Sequence, residues 1–398
     1  MALTRGMTWL LLACLLTLTA VAGIRTPLLS EMGDELALAG GAVGAITSVF
    51  GLGRIVANLP AGWIADRYPP IVGVGIATTL MAAGSLSIAF APGIVVLLIG
   101  VGAVGIASAM MNTTAMTTLT RGAAPGRRGQ AMARYSTSLM TGQIIGPALA
   151  GIGAGVLSWR GTHLVASAVA VTLAVVALVY TLARRRAAEA VPGGGGATPG
   201  TALDPAGTGL PDMTRWQLAV VSSISFAVFF AMGALPQTLI PVIGAGELGL
   251  PVQVVGFALA ASAVARILGA TISGRIADRR SRRAALLPSL IVLAASSLLL
   301  VGPLSWGTWL AALLVFSLAS SGVAIAGTLI GDLSAPERLG RRMGVYRTTG
   351  DVGLFLGPLC CGVLYELLGR GAAVVTIAGV VAVVTVLAYI ALPRPRTI

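Results

Sequence analysis

Gly62-Trp63-Ile64-Ala65-Asp66-Arg67 returns 212 residues later as Gly274-Arg275-Ile276-Ala277-Asp278-Arg279, and the recurrence extends well beyond that stretch. Arg54 returns as Arg266 at the same offset. Gly142, Gly146 and Pro147 return as Gly353, Gly357 and Pro358, 211 apart, and Arg160-Gly161 as Arg370-Gly371, 210 apart. A drift of two residues over more than a hundred positions describes a duplicated chain with two equivalent halves. In an apolar chain such repeats imply a transport architecture.

The apolarity is decisive. Hydrophobic residues make up 56% of the chain and charged ones 10%, against about 25% charged in an average soluble domain, so the surface is built for lipid. Apolar stretches long enough to cross the hydrocarbon core fit twelve times, near 8–29, 39–60, 71–90, 94–119, 134–157, 162–183, 216–242, 251–272, 285–302, 308–331, 343–367 and 372–392. The expected fold is an all-α membrane protein of 12 transmembrane helices in two pseudo-symmetric six-helix halves, 1–183 and 216–398. A flexible linker over 184–215, rich in Gly, Pro, Ala and Thr, joins them.

All 26 basic residues are arginines. With both termini in the cytoplasm, all but Arg25, Arg54, Arg160, Arg266, Arg347 and Arg370 fall on or near the cytoplasmic face, as retention of positive charge there requires. A multi-pass protein of the cytoplasmic (inner) membrane is expected. The net charge of +13 then serves orientation and lipid headgroups rather than nucleic acid. Residues 1–22 have the outline of a secretory signal, but removing them would break the six-plus-six repeat, so retention is expected. Cys14, Cys360 and Cys361 lie in spans without metal spacing, and His163 is the one histidine. No metal site, cofactor or Ser-His-Asp set is expected.

The Asp66 and Asp278 stretches, the second continuing Arg280-Ser281-Arg282-Arg283, resemble the cytoplasmic-loop signature of the major facilitator superfamily. The first copy departs from it, with Tyr68-Pro69-Pro70 where the family carries a glycine and two basic residues. Gly142-Gln143-Ile144-Ile145-Gly146-Pro147-Ala148-Leu149-Ala150-Gly151 resembles the Gly-Pro motif of the family's antiporters, repeated over Gly353 to Gly362. A second departure is that no charge stands between Arg67 and Arg121, where the drug-exporting branch carries a fourth-span arginine.

The resemblance implies roles for these residues. Gly62, Asp66, Arg67, Gly274, Asp278, Arg279, Arg282 and Arg283 would form conformational latches. Asp66 would meet the start of the eleventh span, at Arg341, Arg342 and Arg347, and Asp278 the start of the fifth, near Arg134. Gly142, Gly146, Pro147, Gly151, Gly353, Gly357, Pro358 and Gly362 would form a packed hinge where the halves meet, or ordinary small-residue packing. The spans lining the pathway would be the first, fourth, seventh and tenth.

Charges inside spans must be compensated. Arg54 and Arg266 are expected to be structural posts bonded to neighbouring helices, or else a symmetric anion clamp. Asp351 is the one carboxylate well inside a span, with Arg347 a turn earlier, and it pairs either there or with another arginine such as Arg54. A carboxylate takes up a proton more readily when its site dries, so the pair Asp351 and Arg347 is the leading proton-coupling candidate, with Asp34 second. Arg25, followed by Glu31, Asp34 and Glu35, is either part of a mouth for cations or an outer ion pair. Ser222, Phe226, Phe229, Gly233 and Gln237 share a helical stripe on the seventh span. Ser222, Phe226, Phe229 and Gln237 of this stripe, with Arg25, Asn112, Thr113, Ser317 and Ser321, are the substrate-cavity candidates.

With no P-loop for ATP hydrolysis, an ion gradient is the expected energy source. The reading is a proton-coupled efflux antiporter of hydrophobic or amphipathic small molecules, a drug or secondary metabolite, acting by alternating access and as a monomer. Protons or another coupling ion and membrane lipids are its expected partners. The alternatives are an importer of a small organic or inorganic anion, using Arg25, Arg54 and Arg266, and a membrane enzyme or non-transporting receptor.

Overall fold

The structure, a computed structural model, describes residues 5–38, 40–123, 128–189, 213–332, 334 and 336–392. Residues 190–212, most of the expected linker, lie outside the described residues.

All regular structure among the described residues is helical. The first half contains α1 (Arg5–Ile24), the short α2 (Leu29–Glu35), α3 (Gly40–Arg67), α4 (Pro70–Ala89), α5 (Ile94–Arg121) and α6 (Arg128–Glu189). The second contains α7 (Arg215–Ala234), α8 (Ile240–Val242), α9 (Val252–Arg279), α10 (Arg282–Leu298), α11 (Trp306–Ser320), α12 (Val323–Asp332) and α13 (Pro336–Ala391).

Nine stretches among the described residues are long and apolar enough to cross a membrane, and two of these, within α6 and α13, are of double length. Ser158 (φ 62°) and Gly369 (φ 81°) turn the chain back inside them. Gly153 consequently faces Thr162 across the first turn, and the Cys361 thiol approaches the Ala373 carbonyl across the second. With α10, whose 17 residues span about 25 Å, these make twelve crossings. The first ends at Ile24, five residues short of the expected boundary, because α2 leaves it as a separate helix that buries Leu29 and Met32. The tenth is divided into α11 and α12 around Ser321 and Gly322.

The seventh span continues from α7 through π-helical turns at Leu235–Leu239 and Ile243–Glu247, on either side of α8. Pro236 and Pro241 lack the N–H that an α-helix needs. In a regular helix the Gln237 carbonyl would accept from residue 241; here it accepts the Thr47 hydroxyl of α3 (3.3 Å). The Ile240 carbonyl likewise accepts the indole N–H of Trp309 (3.0 Å).

Each half packs its own apolar core, and Leu354, Val252, Phe229 and Val242 of the second half reach that of the first. The halves meet along two seams, α3 against α13 and α6 against α9. At the first, Gly44 abuts Pro358 and Gly362 and Gly51 abuts Leu354 and Phe355; at the second, Gly151 meets Gly256. These close approaches lie toward the end of the bundle carrying α2 and Ser158, the far end. The opposite end, where α3 and α9 finish at Arg67 and Arg279, is arginine-rich.

Candidate functional site

The seam between α3 and α13 holds a polar junction within the membrane-spanning region. Asp351 is buried, its side chain 5% exposed, and its carboxylate takes two donors from the other half. Arg54 Nε donates to Oδ1 at 2.8 Å and Asn58 Nδ2 to Oδ2 at 2.7 Å. Arg54 Nη1 also reaches Ser108 Oγ of α5 at 3.4 Å. Arg54 and Asn58 stand four residues apart on α3, one helical turn, so both face the same carboxylate. Of the two partners considered for Asp351, the structure selects Arg54. Arg347 instead extends to the Met116 sulfur of α5, a weak acceptor. Beside it the Tyr135 hydroxyl approaches Asn112 Oδ1 at 3.5 Å.

The repeat places Arg266 on the second seam, where it donates to Gln143 of α6. Arg54 and Arg266 thus each bond to a neighbouring helix of the other half. One meets a carboxylate and the other an amide. Asn58 and Gln143 were not among the expected site residues; only their position in the repeat-bearing spans marked them.

Among the described residues, the cross-half latches implied by the resemblance are not formed in this conformation. Asp66 pairs with Arg121 of its own half (2.6 Å), both side chains 61% exposed, and Asp278 with Arg282 (3.8 Å). Arg342 donates to the Met213 carbonyl (2.8 Å), and Arg67 lies over the Trp63 ring. Arg283 donates to the Tyr389 and Leu392 carbonyls, both at 2.7 Å, closing the last turn of α13, while Arg279 is exposed. A Cβ on Gly62 or Gly274 would meet nothing within 4 Å. The physical reason is that, among the described residues, the close glycine contacts between the halves lie toward the far end, while Asp66 and Asp278 find arginines within their own halves.

The Gly-Pro motifs divide between two surfaces. Gly142 and Gly146 pack on α1 and Gly353 and Gly357 on α7, within their own halves, whereas Pro147, Gly151, Pro358 and Gly362 border the seams.

A cavity of about 450 Å³ opens between α7 and α13 toward the arginine-rich end, and Ser222 and Phe226 line it with Arg215, Leu218 and Val345. Phe229 lies deeper, against the first half's core, and Gln237 sits at the π-turn. Ser317 is buried, Ser321 lies 3.4 Å from Ser273 of α9, and Thr113 is half-buried on α5. Arg25 is buried in the first half with its guanidinium over the Phe50 ring (4.5 Å). These residues do not form a single pocket.

At the far end Glu35 accepts from Arg160 (2.8 Å) and from the Trp159 indole, and Arg160 also donates to the carbonyls of Ala89 and Ala91, both at 3.0 Å. Glu247, 212 residues on from Glu35, pairs with Arg370, which also reaches the Gly302 carbonyl (3.2 Å). Each half therefore carries the same clasp. The Arg160 and Trp159 hydrogen bonds hold the Glu35 carboxyl below the usual range, while burial, then Glu35 and Asp34, push Glu31 up. Asp34 is exposed beside them, remote from Asp351.

Comparison with known proteins agrees with this architecture. The Major Facilitator Superfamily profile matches residues 10–243 and again 218–397. The Multidrug resistance protein B homolog of Mycobacterium tuberculosis is 35% identical over 133 residues, 32% of this chain; the match spans only 24% of that relative's length. A bacterial homolog of the human lysosomal transporter Spinster, in an inward-facing and occupied conformation, superposes with a TM-score of 0.78 at 14% identity, covering 96% of this chain and 95% of that one. A POT family transporter in complex with a thioalcohol-conjugated peptide superposes at 0.74 and 13% identity, covering 97% and 96%. With both halves matching the family profile and the whole chain sharing the fold of solved transporters, the chain belongs to the Major Facilitator Superfamily of membrane transporters.

Proposed function

We propose that this transporter exports hydrophobic or amphipathic small molecules in exchange for protons, from the cytoplasmic membrane and with both termini in the cytoplasm. The observation that carries this reading is Asp351, a titratable carboxylate joining the two halves through Arg54 and Asn58. Protonation removes the charge on which the Arg54 contact depends, and deprotonation restores it. If water reaches the group from one side at a time, a proton accepted on one side is released on the other.

With the arginine-rich end cytoplasmic, far-end contact and unlatched Asp66 and Asp278 correspond to an inward-open state. The short multidrug-resistance match supports an export role. Import of a small anion through Arg25, Arg54 and Arg266 is disfavoured by the geometry. Arg54 is already taken by Asp351 and Arg266 by Gln143, on different seams, and Arg25 is buried against Phe50.

The test is gradient-driven movement of neutral, cationic and anionic amphipathic fluorophores in sealed liposomes, with and without an ionophore that collapses the pH gradient. Ionophore-sensitive accumulation of at least one is expected. No movement of any by folded protein overturns the reading.

A further inference from the structure

The crevice between α7 and α13 has a polarity that the export reading alone does not supply. Its walls are mainly apolar, from Leu218, Phe226 and Val345, and its one charge is Arg215. No carboxylate among the described residues pairs with that guanidinium, and the first turn of α7 contains no acidic residue. Arg215 therefore adds to the positive end of the helix dipole instead of offsetting it. The Thr214–Gln217 capping box satisfies helix-end donors, so among the described residues the Arg215 guanidinium is the charged group that faces the crevice.

A second, independent feature lies in the same wall. Three hydroxyls border the crevice. Ser223 donates to the Val220 carbonyl and Thr349 to the Val345 carbonyl. Ser222, only 5% exposed, has no partner for its Oγ. A buried hydroxyl left unpaired in an apolar wall is costly, and rotation about its Cα–Cβ bond would bring it to a polar atom of a molecule bound in the crevice. Seven residues of helix separate Arg215 from Ser222, about 10 Å along the axis.

We infer that this crevice is a binding site for an amphipathic anion, with its anionic head on Arg215, a polar atom of its body at Ser222 and its apolar part against Phe226. This rests on the export reading, because the occupant is taken to be cargo. Membrane lipid can offer the same chemistry, so the test separates the two sources.

The probe is dansylaminoundecanoic acid, compared with its methyl ester and a trimethylammonium analogue. Binding is read by dansyl emission with purified protein in phosphatidylcholine nanodiscs, and again in discs containing phosphatidylglycerol. The acid is expected to bind about tenfold more tightly than the ester, through charge-assisted hydrogen bonds to Arg215. Arg215→Gln should remove that preference while retaining ester binding, which also reports an intact fold, and Arg215→Lys should restore much of it. Ser222→Ala should weaken acid and ester alike.

Equal binding of acid and ester, or an Arg215→Gln protein that keeps the preference, overturns the site. Loss of acid binding in phosphatidylglycerol discs overturns the cargo assignment in favour of resident lipid. In the liposome assay, movement of probes without charge preference overturns this inference while leaving export standing, whereas no movement of any probe, alongside intact Arg215-dependent binding, overturns the export reading and with it the assignment of the occupant as cargo.

Discussion

Asp351→Asn is the most informative substitution because it preserves shape and removes only charge. The wild-type carboxylate accepts at 2.8 Å from Arg54 and 2.7 Å from Asn58, with the Asp351 side chain 5% exposed and that of Arg54 20% exposed. Removing one partner of a buried ion pair costs about 3–5 kcal/mol. Here the asparagine oxygen still accepts a hydrogen bond and the Arg54 head retains some solvent, so about 2–3 kcal/mol is expected. Arg54→Gln should cost a similar amount, and the double variant distinctly less than the sum, since it leaves no charge stranded. Unfolding can be followed by a thiol-reactive dye, because Cys14 in one half and Cys361 in the other are buried, with exposed Cys360 as background. On the transport side, Asp351→Asn should abolish uphill, gradient-driven movement while downhill exchange persists. An Asp351→Asn protein that still accumulates probe on a pH gradient would refute Asp351 as the coupling group. Additive single costs would refute the pair as an energetic unit.

Two further outcomes follow from geometry away from that junction. Since its partners lower the folded-state pKa of Glu35, its stabilising contribution is present above the ordinary glutamate value and lost as pH falls through the lowered one. Glu35→Gln should therefore flatten the acid limb of a Tm-versus-pH curve, with little change in its slope near neutrality. A Cβ on Gly353 would run into the Phe226 and Phe230 backbone, whereas one on Gly62 meets nothing within 4 Å. Gly353→Ala is expected to destabilise by about 1–3 kcal/mol through overpacking, and Gly62→Ala to leave thermal unfolding near wild type; equal behaviour of the two would contradict the packing at the α7–α13 contact.

The duplication and spans were legible because hydrophobic length and offset are one-dimensional properties, and both survive folding intact. Asp351 stood out for the same reason, as a carboxylate in a long apolar run. Its partners were less legible. Arg54 was one of two named options, and Asn58, uncharged and unrepeated, gave no signal. Gln143 lies within the Gly-Pro motif, where the glycines carry the recognisable pattern. The Glu35 and Glu247 clasps share the register that joined Arg54 to Arg266, but Glu35 stood beside Arg25 in the sequence, and that nearness in the chain pointed away from its partner Arg160, 125 residues on. The Gln237 backbone carbonyl bonds to Thr47, a contact the side-chain pattern could not show, because Pro241 withholds a donor four residues later. The latches implied by the resemblance are a different case: Asp66 and Asp278 were legible in the repeat, but among the described residues each pairs with an arginine of its own half.

The two seams differ in one respect that bears on energetics. At the first, Arg54 faces a carboxylate, and at the second Arg266 faces an amide, which has no proton to exchange near neutral pH. On the proposed reading, a duplicated chain is thereby left with one titrating crossing, and each cycle moves one proton by this route. One proton across one pH unit releases about 1.4 kcal/mol, which sustains a tenfold concentration ratio of cargo, and each elementary charge moved adds about 2.3 kcal/mol per 100 mV of membrane potential. The Arg54–Asp351 contact therefore fixes a ceiling on accumulation as well as a point of closure. A steady-state cargo ratio that rises a hundredfold per pH unit at zero potential would require a second proton path elsewhere in the chain.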